Sequence, residues 1–436
     1  MLQLSRYQWT VLFAAWLGWG FDIFDNVLFN YVAPNCVPTL LGLTIGSPEA
    51  KAATLLWTGV LSSVLLLGWA VGGIVFGKVA DRIGRTKTLL FTMLLYALGT
   101  AACAFAPNMS VLVLCRIVAS LGIGGEWAAG ASMVAEVMPE RSRVEAGVLL
   151  NTAASAGPIL ASFLNFQIAG VLLPESPETS WRFVFLFGLI PAAVALIVRL
   201  FVKEPERWQK AAENVDPARI RELFQLPNRA ATISGLAIAT IALITLTSCL
   251  AFMPAIASGL ASSVALERGL DLAATQSLIE QWKAIATNSC SIGSLIGTLL
   301  TVPAAKYLGR KIMFSIYFVL SSLTILIDFG LPLSPETRLY FYFFIGLTVA
   351  GVFGSFTYYL PELFPTRLRA TGAGFCYNAG RVFAAIGPLL IGYVASQGTN
   401  TLSTALDSLF WVGFIPLLGI AFMPWAIETK GLVLAD

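Results

Sequence analysis

The chain has 436 residues, of which 57% are hydrophobic and 12% are charged, and its formal net charge is +3. A soluble domain carries about twice that share of charged residues, so the composition excludes an ordinary soluble protein and indicates many membrane spans. The chain has no histidine, and its 6 cysteines show no paired spacing. Proton chemistry must therefore use mainly carboxylates, and we expect no metal site, no disulfide framework and no nucleic-acid partner.

Apolar segments of about 20 residues or more recur along the chain, separated by polar breaks, which is the pattern of transmembrane helices. The sequence therefore predicts an all-α membrane protein with twelve transmembrane helices, numbered here as spans one to twelve. An even number of spans puts both termini on one side of the membrane. The predicted spans are residues 9–33, 55–77, 88–106, 110–134, 145–170, 182–202, 230–260, 281–304, 312–331, 338–360, 370–396 and 405–426.

The distribution of lysine and arginine gives the predicted orientation. With the N-terminus in the cytoplasm, 20 of the 27 cations fall in cytoplasmic segments, as the positive-inside rule requires. Arg116 and Arg381 lie within spans. The cations predicted to lie outside are Lys51, Arg182, Arg268, Lys283 and Arg338. We expect a multi-pass protein of a cell membrane, a bacterial inner membrane, with both termini cytoplasmic.

A charged turn at residues 77–87 separates spans two and three and contains one acid and four cations. Charges at bilayer depth are costly, so this turn must lie at the membrane surface. A weaker copy at residues 306–311 separates spans eight and nine. Its Gly309-Arg310 pair lies 225 positions after Gly84-Arg85, which indicates an internal repeat.

A second pair of loops repeats at nearly the same offset. Glu136-x-x-Pro139-x-Arg141-x-Arg143 recurs 226 positions downstream as Glu362-x-x-Pro365-x-Arg367-x-Arg369. Two matched loops predict a duplicated chain with a six-helix half at 1–202, a cytoplasmic linker at 203–229 and a second six-helix half at 230–436. Such duplicated halves are the architecture of secondary transporters that rock around a site near the bilayer midplane.

The turn Gly77-x-x-x-Asp81-Arg82-x-Gly84-Arg85 resembles the signature loop of the major facilitator superfamily, and the resemblance covers the whole chain. It implies two pseudo-symmetric halves of six helices and a gate at their cytoplasmic ends. Lys306 takes the place of Asp81 in the second copy, so a gate there must be built differently. A topogenic charged turn without a switching role remains the alternative. The predicted gate residues are Gly77, Asp81, Arg82, Gly84, Arg85, Glu136, Arg143, Glu362 and Arg369.

Two acids lie near the middle of span one, where a charge needs a functional or structural reason. Asp22 and Asp25 are three residues apart, and Asn26 follows Asp22 by four, so the three side chains form one polar stripe on the helix. Burial raises the affinity of a carboxylate for a proton, and a second carboxylate nearby raises it further. The pair is therefore a candidate proton carrier. The alternative is a structural carboxylate held by hydroxyls or by a cation on a neighbouring helix.

Span four contains Arg116 and, ten residues later, Glu126, which follows a glycine-rich run. This pattern resembles span four of sialate and monocarboxylate proton symporters. By that resemblance, Glu126 is a proton-linked or charge-balancing carboxylate. Arg116 is either part of a structural ion pair, for example with Asp22 or Asp25, or takes a direct role in coupling.

Span eleven contains Arg381, which is expected to be the only buried cation of the second half, with Tyr377 and Asn378 on the same helical face. A guanidinium within a membrane is costly unless it meets an anion, and its planar fork suits a carboxylate. The segment resembles span eleven of organic anion transporters, in which the matching arginine faces the substrate. A structural partner, such as Glu126 or Asp25, is the alternative. Asp328, near the end of span nine, is expected to be a surface cap.

These residues predict a proton-coupled symporter of a small organic anion, a carboxylate, that works by alternating access without a cofactor. Protons are expected on Asp22, Asp25 or Glu126, and the substrate on Arg381, with Tyr377, Asn378 and Asn26 nearby. The alternatives are a facilitator or symporter of neutral or cationic solutes, an efflux antiporter, and a non-transporting sensor. The expected partners are the organic acid, protons and the lipid bilayer, and the expected state is a monomer. No enzymatic motif is present.

Overall fold

The computed structural model describes residues 4–138, 143–190, 193, 197, 219–365 and 368–431. For residues 81, 82, 85, 126–133, 135, 136, 143, 144 and 370 it describes the backbone only. Helices joined by short turns make up nearly all of this described part, and no β-strand occurs within it. The predicted all-α fold class is confirmed.

The helices of the first half follow one another as antiparallel spans. Span five is broken at Thr152 and ends in a π-helical turn, and span six is described from its start. The helices are Arg6–Leu41, Pro48–Ile83, Arg85–Cys103, Met109–Val137, Arg143–Asn151 with Ala153–Asn165 and Phe166–Leu172, and Pro177–Phe187.

The second half repeats this arrangement after a short 3₁₀ helix, Ile220–Phe224. Its spans seven, ten, eleven and twelve are each composed of consecutive helical segments. The helices are Arg229–Ala251 with Met253–Glu267, Leu272–Leu308, Arg310–Gly330, Pro335–Ile345 with Gly346–Ala350, Gly351–Ser355 and Phe356–Glu362, Arg369–Ala384 with Ile386–Gln397, and Thr401–Val412 with Ile415–Phe422 and Met423–Trp425.

Ten helices in the described part are long and apolar enough to cross a membrane, and the shorter apolar helix Met109–Gly125 belongs to span four. Together with span six, which begins at Pro177, they account for the twelve predicted spans. Several helices extend beyond the predicted bounds, because an α-helix continues through the polar surface region after its apolar stretch has ended. Span eight, with 37 residues, is about 55 Å long and exceeds the ~30 Å hydrocarbon core.

Five even-numbered spans begin on one face of the bundle, and each has a side-chain cap. Each capping side chain accepts a hydrogen bond from the backbone N–H three residues later, which satisfies a donor that the helix leaves unpaired. We call this the capped face, and under the predicted orientation it is the outer face. The capping residues are Ser47, Asn108, Asp271, Ser334 and Asn400.

The opposite face contains the repeated charged turns, and their backbones repeat as their sequences do. Gly84 has φ 108° and ψ 155°, and Gly309 has φ 93° and ψ 165°. A positive φ favours glycine, so each turn needs glycine at this position to join two antiparallel spans. The division at 1–202, 203–229 and 230–436 remains a prediction, because residues 201–218 lie outside the described part.

The two halves meet closely where spans two and eleven pack together. A Cβ atom on Gly59 would lie 2.4 Å from the carbonyl oxygen of Pro388, and one on Gly392 would lie 2.6 Å from that of Leu55. Small residues permit this backbone approach, as at many helix contacts in membranes. Spans five and eight form a second contact between the halves. The candidate functional site described below lies at the contact between the halves.

Candidate functional site

Arg381 lies in span eleven at the contact between the halves, and it is 2% exposed. Its guanidinium carbon lies 4.0 Å from the ring centroid of Trp69, in span two, and 4.5 Å from that of Tyr377, one turn earlier in span eleven. Its Nη1 donates to Oδ1 of Asn378 at 2.8 Å. The aromatic rings and the amide stabilise the cation in a site away from water and lipid.

An aromatic wall extends from this arginine into both halves. The Trp19 ring of span one lies 6.1 Å from the Trp69 ring. The Tyr377 ring lies 6.0 Å from Phe356 and 6.4 Å from Phe353, both in span ten. Four spans therefore contribute rings around one buried cation, with two spans from each half.

Span one brings Asp22 to the same site. Asp22 is fully buried and lies within electrostatic reach of Arg381, which belongs to the other half. Asn26, one turn further along span one, is half-buried, and no described hydrogen bond or ring contact joins it to Arg381. Of the predicted substrate residues, Arg381, Tyr377 and Asn378 are therefore brought together, and Asn26 stays apart.

Asp25 is paired within the first half instead. Nη1 of Arg116 lies 3.3 Å from Oδ2 of Asp25, and its Nη2 donates to the Asp25 carbonyl oxygen at 3.2 Å. Thr100 of span three donates a hydrogen bond to the other carboxylate oxygen. Asp25 is 3% exposed and Arg116 is 1% exposed, so this ion pair joins spans one, three and four in the interior of the half. Of the two partners considered for Arg116, the structure has Asp25.

Several predicted residues cannot be placed. The side chains of Glu126, Asp81, Arg82, Arg85, Glu136 and Arg143 lie outside the described part of the chain. Gly77 lies within span two, and Gly84 forms the turn described above. The roles assigned to these residues in coupling and gating stay predictions.

The second copy of the charged turn belongs to a network of ion pairs and hydrogen bonds with spans nine and ten and the C-terminal segment. Nη2 of Arg310 lies 2.7 Å from Oε1 of Glu362, and its Nε donates to Oε2 at 3.1 Å, which gives a bidentate ion pair between spans nine and ten. Thr429 donates to the same carboxylate at 2.6 Å. Arg369, predicted to belong to this gate, is half-buried at the start of span eleven.

Glu428, beyond span twelve, caps the start of span nine in this network. Its carboxylate accepts hydrogen bonds at 2.9 Å from the backbone N–H groups of Arg310, Lys311 and Lys430. Burial alone would raise the pKa of Glu428, but these hydrogen bonds and the charge of Arg310 hold the pKa below its usual value. The second turn, which has Lys306 in the place of Asp81, thus contacts an acid of the C-terminal segment.

Two buried ion pairs were missed by the sequence analysis. Lys283 was predicted to lie outside the membrane, but it is 1% exposed in span eight, and its Nζ lies 2.8 Å from Oε1 of Glu280. Asp328 was predicted to be a surface cap, and Arg338 to lie outside. Both are buried, and Nη1 of Arg338 lies 3.7 Å from Oδ1 of Asp328. The capping signal of Asp271, followed by a helical pattern with acid and base three residues apart, could have revealed the first pair.

Comparison with known proteins gives matches over the whole chain. The "Sugar (and other) transporter" family matches residues 42–232. The probable 4-methylmuconolactone transporter of Cupriavidus pinatubonensis is 29% identical, over 99% of this chain and 93% of its own length. The sialic acid transporter NanX of Escherichia coli is 26% identical, over 90% and 89%. The cis,cis-muconate transport protein of Acinetobacter baylyi is 28% identical, over 83% and 84%.

Solved structures with the same fold include a D-xylose–proton symporter, with a TM-score of 0.74 and 18% identity over 98% of this chain and all of that chain. Another is the E. coli xylose transporter XylE in a partially occluded inward-open conformation, with a TM-score of 0.73 and 18% identity over 99% of this chain and all of that one. The family match and the relatives' names indicate a multi-pass membrane transporter and not an enzyme. The chain is similar over its whole length to membrane transporters, in agreement with the resemblance of its charged loops to the major facilitator superfamily.

Proposed function

We propose that this transporter carries a small organic anion, a carboxylate, together with protons by alternating access. The observation on which the proposal rests is Arg381, a buried cation between aromatic rings at the contact between the halves. Three of its relatives are named for the transport of muconate, gentisate and sialic acid, which supports an organic acid as the substrate.

Arg381 is suited to bind the carboxylate of the substrate. The guanidinium carbon lies over the rings of Trp69 and Tyr377. A carboxylate would bind along the edge of the guanidinium, where its N–H groups donate in the plane. A carboxylate bound there would form charge-assisted hydrogen bonds, which are about twice as strong as neutral ones. The rings would also pack against the hydrocarbon part of the substrate.

Asp22 is suited to link substrate to proton. Its carboxylate interacts electrostatically with Arg381 and therefore competes with a substrate carboxylate for the same cation. Protonation of Asp22 would remove this competition and leave Arg381 to the substrate. Substrate and proton would then bind together and neutralise the site, which favours closure of the halves around it.

The rest of the predicted scheme is part of the same proposal. The protein lies in a bacterial inner membrane with both termini on the cytoplasmic side. The halves at 1–202 and 230–436 rock against each other, and the protein acts as a monomer. Glu126 contributes to coupling, and the two charged turns contribute to the gate. The Arg310–Glu362 pair supports a gate at the second turn. Glu428, from the C-terminal segment, caps this turn, which supports a gate that is built differently from the one at the first turn.

The electrostatic interaction between Asp22 and Arg381 favours a second candidate function. If the two charges neutralise each other throughout the cycle, the site carries no net charge, and a neutral or cationic solute becomes the substrate. The two candidates predict opposite outcomes in a substrate panel. Purified protein is tested for thermal stabilisation by cis,cis-muconate, gentisate and sialic acid, and by D-xylose and an organic cation.

Uptake by proteoliposomes then tests the role of Arg381. Arg381→Ala should lower uptake of the stabilising acid at least 100-fold, and Arg381→Lys about 10-fold, because lysine keeps the charge but loses the planar fork. Arg268→Ala is the matched control, since Arg268 forms an exposed ion pair with Glu336, and its uptake should not change. Normal uptake by a folded Arg381→Ala variant would remove Arg381 from the site.

Asp22→Asn tests the coupling in the same vesicles. The variant should still exchange substrate across the membrane, but an inward proton gradient should no longer drive accumulation. If the gradient drives Asp22→Asn as well as it drives the parent protein, the proton site is not Asp22.

A further inference from the structure

A second buried charged cluster lies in span eight, where that span faces the first half. Glu280 is fully buried, and its Oε1 accepts hydrogen bonds at 2.8 Å from Lys283 Nζ and from Gln276 Nε2. These three residues follow one another on a single face of one helix. Charge and countercharge therefore belong to the same span, and the cluster as a whole is neutral.

The first half supplies the remaining partners of this cluster. Asn35 of span one donates from Nδ2 to Oε1 of Glu280 at 3.5 Å, and Asn165 of span five donates to Oε2. Lys283 Nζ donates to the carbonyl oxygen of Tyr31 at 2.9 Å. Three hydrogen bonds of this cluster thus cross from span eight to spans one and five.

Close packing encloses these hydrogen bonds. A Cβ atom on Gly170 would lie 2.9 Å from the Cβ atom of Glu280, so span five approaches span eight at this depth as closely as glycine permits. The Tyr31 hydroxyl also donates to Thr287 of span eight at 2.7 Å. Buried polar groups are costly without partners, so the halves are favoured in the arrangement that satisfies this cluster.

The cluster lies beneath a cleft on the capped face. Asn35 and Gln276 line this cleft, together with Lys51 and Thr54 of span two and Thr401 of span twelve. The cleft is lined by residues of both halves. Asn35 and Gln276, which donate hydrogen bonds to Glu280, are part of its lining, so the cluster adjoins the cleft where the two halves meet.

Alternating access requires spans one and five to move away from span eight when this face opens. The three crossing hydrogen bonds must then break, but the Glu280–Lys283 ion pair can stay intact because both residues lie in span eight. The Asp25–Arg116 pair has a different position, since it lies inside one half. Opening therefore does not require the separation of two charges in a medium of low dielectric constant.

We propose that Glu280, Lys283, Asn35 and Asn165 form a latch that holds the capped face closed. In this latch, the ion pair remains in span eight throughout the cycle. Asn35, Asn165 and the Tyr31 carbonyl bind it when the face closes and leave it when the face opens. The strength of these crossing hydrogen bonds sets the balance between the two conformations.

A reporter cysteine tests the latch without any substrate. Ser162 of span five is 2% exposed and donates to Asn288 of span eight at 3.2 Å, so Ser162→Cys becomes accessible when the two spans separate. In right-side-out vesicles, a membrane-impermeant maleimide measures the rate at which this cysteine is exposed. The protein without Ser162→Cys gives the background from the native cysteines.

Asn35→Ala and Asn165→Ala should each raise the labelling rate about tenfold, which corresponds to ~1.4 kcal/mol in the conformational balance. Thr39→Ala is the matched control, because Thr39 lies one turn beyond Asn35 and, within the described part of the chain, its hydroxyl bonds only to the Asn35 carbonyl of its own helix. Its labelling rate should equal that of the parent.

An unchanged or slower labelling rate in folded Asn35 and Asn165 variants would overturn the latch. If an alanine variant does not fold, Asn35→Leu or Asn165→Leu keeps the side-chain volume, removes the same hydrogen bond and is judged by the same criterion. No substrate or gradient is present, so this outcome is independent of the proposed anion site and proton coupling.

Discussion

The two halves of the transporter use buried charge in different ways. The first half closes its ion pair on itself, with Asp25, Arg116 and Thr100 drawn from three spans of that half. The second half also encloses a pair, Asp328 with Arg338. In addition, it directs Glu280 with Lys283, and also Arg381, toward the first half. Charge enclosed within a half ties its helices together, whereas charge at the contact can respond to movement and to a ligand. The comparison therefore separates a structural pair from the two sites for which we propose a function.

The largest expected effect comes from breaking the enclosed pair. Arg116→Met leaves the Asp25 carboxylate buried without its cation, and removal of one partner from a buried ion pair typically costs ~3–5 kcal/mol. Thermal unfolding of purified protein should show a much lower midpoint. Asp25→Asn with Arg116→Met removes both charges and should recover most of that loss.

The recovery decides whether the pair is structural. If the double variant is as unstable as Arg116→Met, the helices do not depend on charge balance at this position. If Arg116→Met alone is as stable as the parent, the first half does not need the pair, and the contrast between the halves is lost.

A moderate effect is expected from the pair at the contact. Glu280→Gln with Lys283→Met removes both charges and the hydrogen bond to the Tyr31 carbonyl but keeps an amide oxygen for Asn165. Hydrogen bonds to charged groups contribute ~1.5–3 kcal/mol, so labelling of Ser162→Cys should rise about tenfold or more. The neutral double variant at Asp25 and Arg116 should leave the labelling rate unchanged, because that pair does not cross the contact. Equal labelling rates in the two double variants would contradict the comparison.

The fold and the site were predictable to different extents. Runs of apolar residues predicted the spans, and the repeated Gly84-Arg85 and Gly309-Arg310 turns predicted the duplication, since both depend on local sequence. Span eight was predicted to begin at residue 281, because charged residues end an apolar run. Its helix begins at Leu272, and Glu280 and Lys283 are buried within it.

Partners on other helices could not be predicted from spacing. Arg116 could have reached Asp22 or Asp25 from span four, and only the packing of spans one and four selects Asp25. Trp69 of span two, which stacks on Arg381, was not proposed either, because tryptophan is common in this chain and its position carries no local signal. A sequence gives the depth of a residue along its span, whereas the rotation of neighbouring spans decides which residues meet.

The smallest effect is expected from a substitution of Glu428, whose hydrogen bonds lie within the second half. Glu428 joins the C-terminal segment to the start of span nine at the membrane surface, and solvent screens part of this interaction. Glu428→Gln should therefore destabilise the protein by only about 1 kcal/mol at neutral pH.

Because the folded protein holds the pKa of Glu428 below its usual value of 4.5, the charged form stabilises the fold above that pH. The stabilisation should be lost as the pH falls below it. Thermal unfolding of parent and variant at pH 7 and near pH 3.5 measures this difference, and the two midpoints should converge at the lower pH. A loss at neutral pH as large as that of Arg116→Met would mean that the second half depends on enclosed charge as strongly as the first.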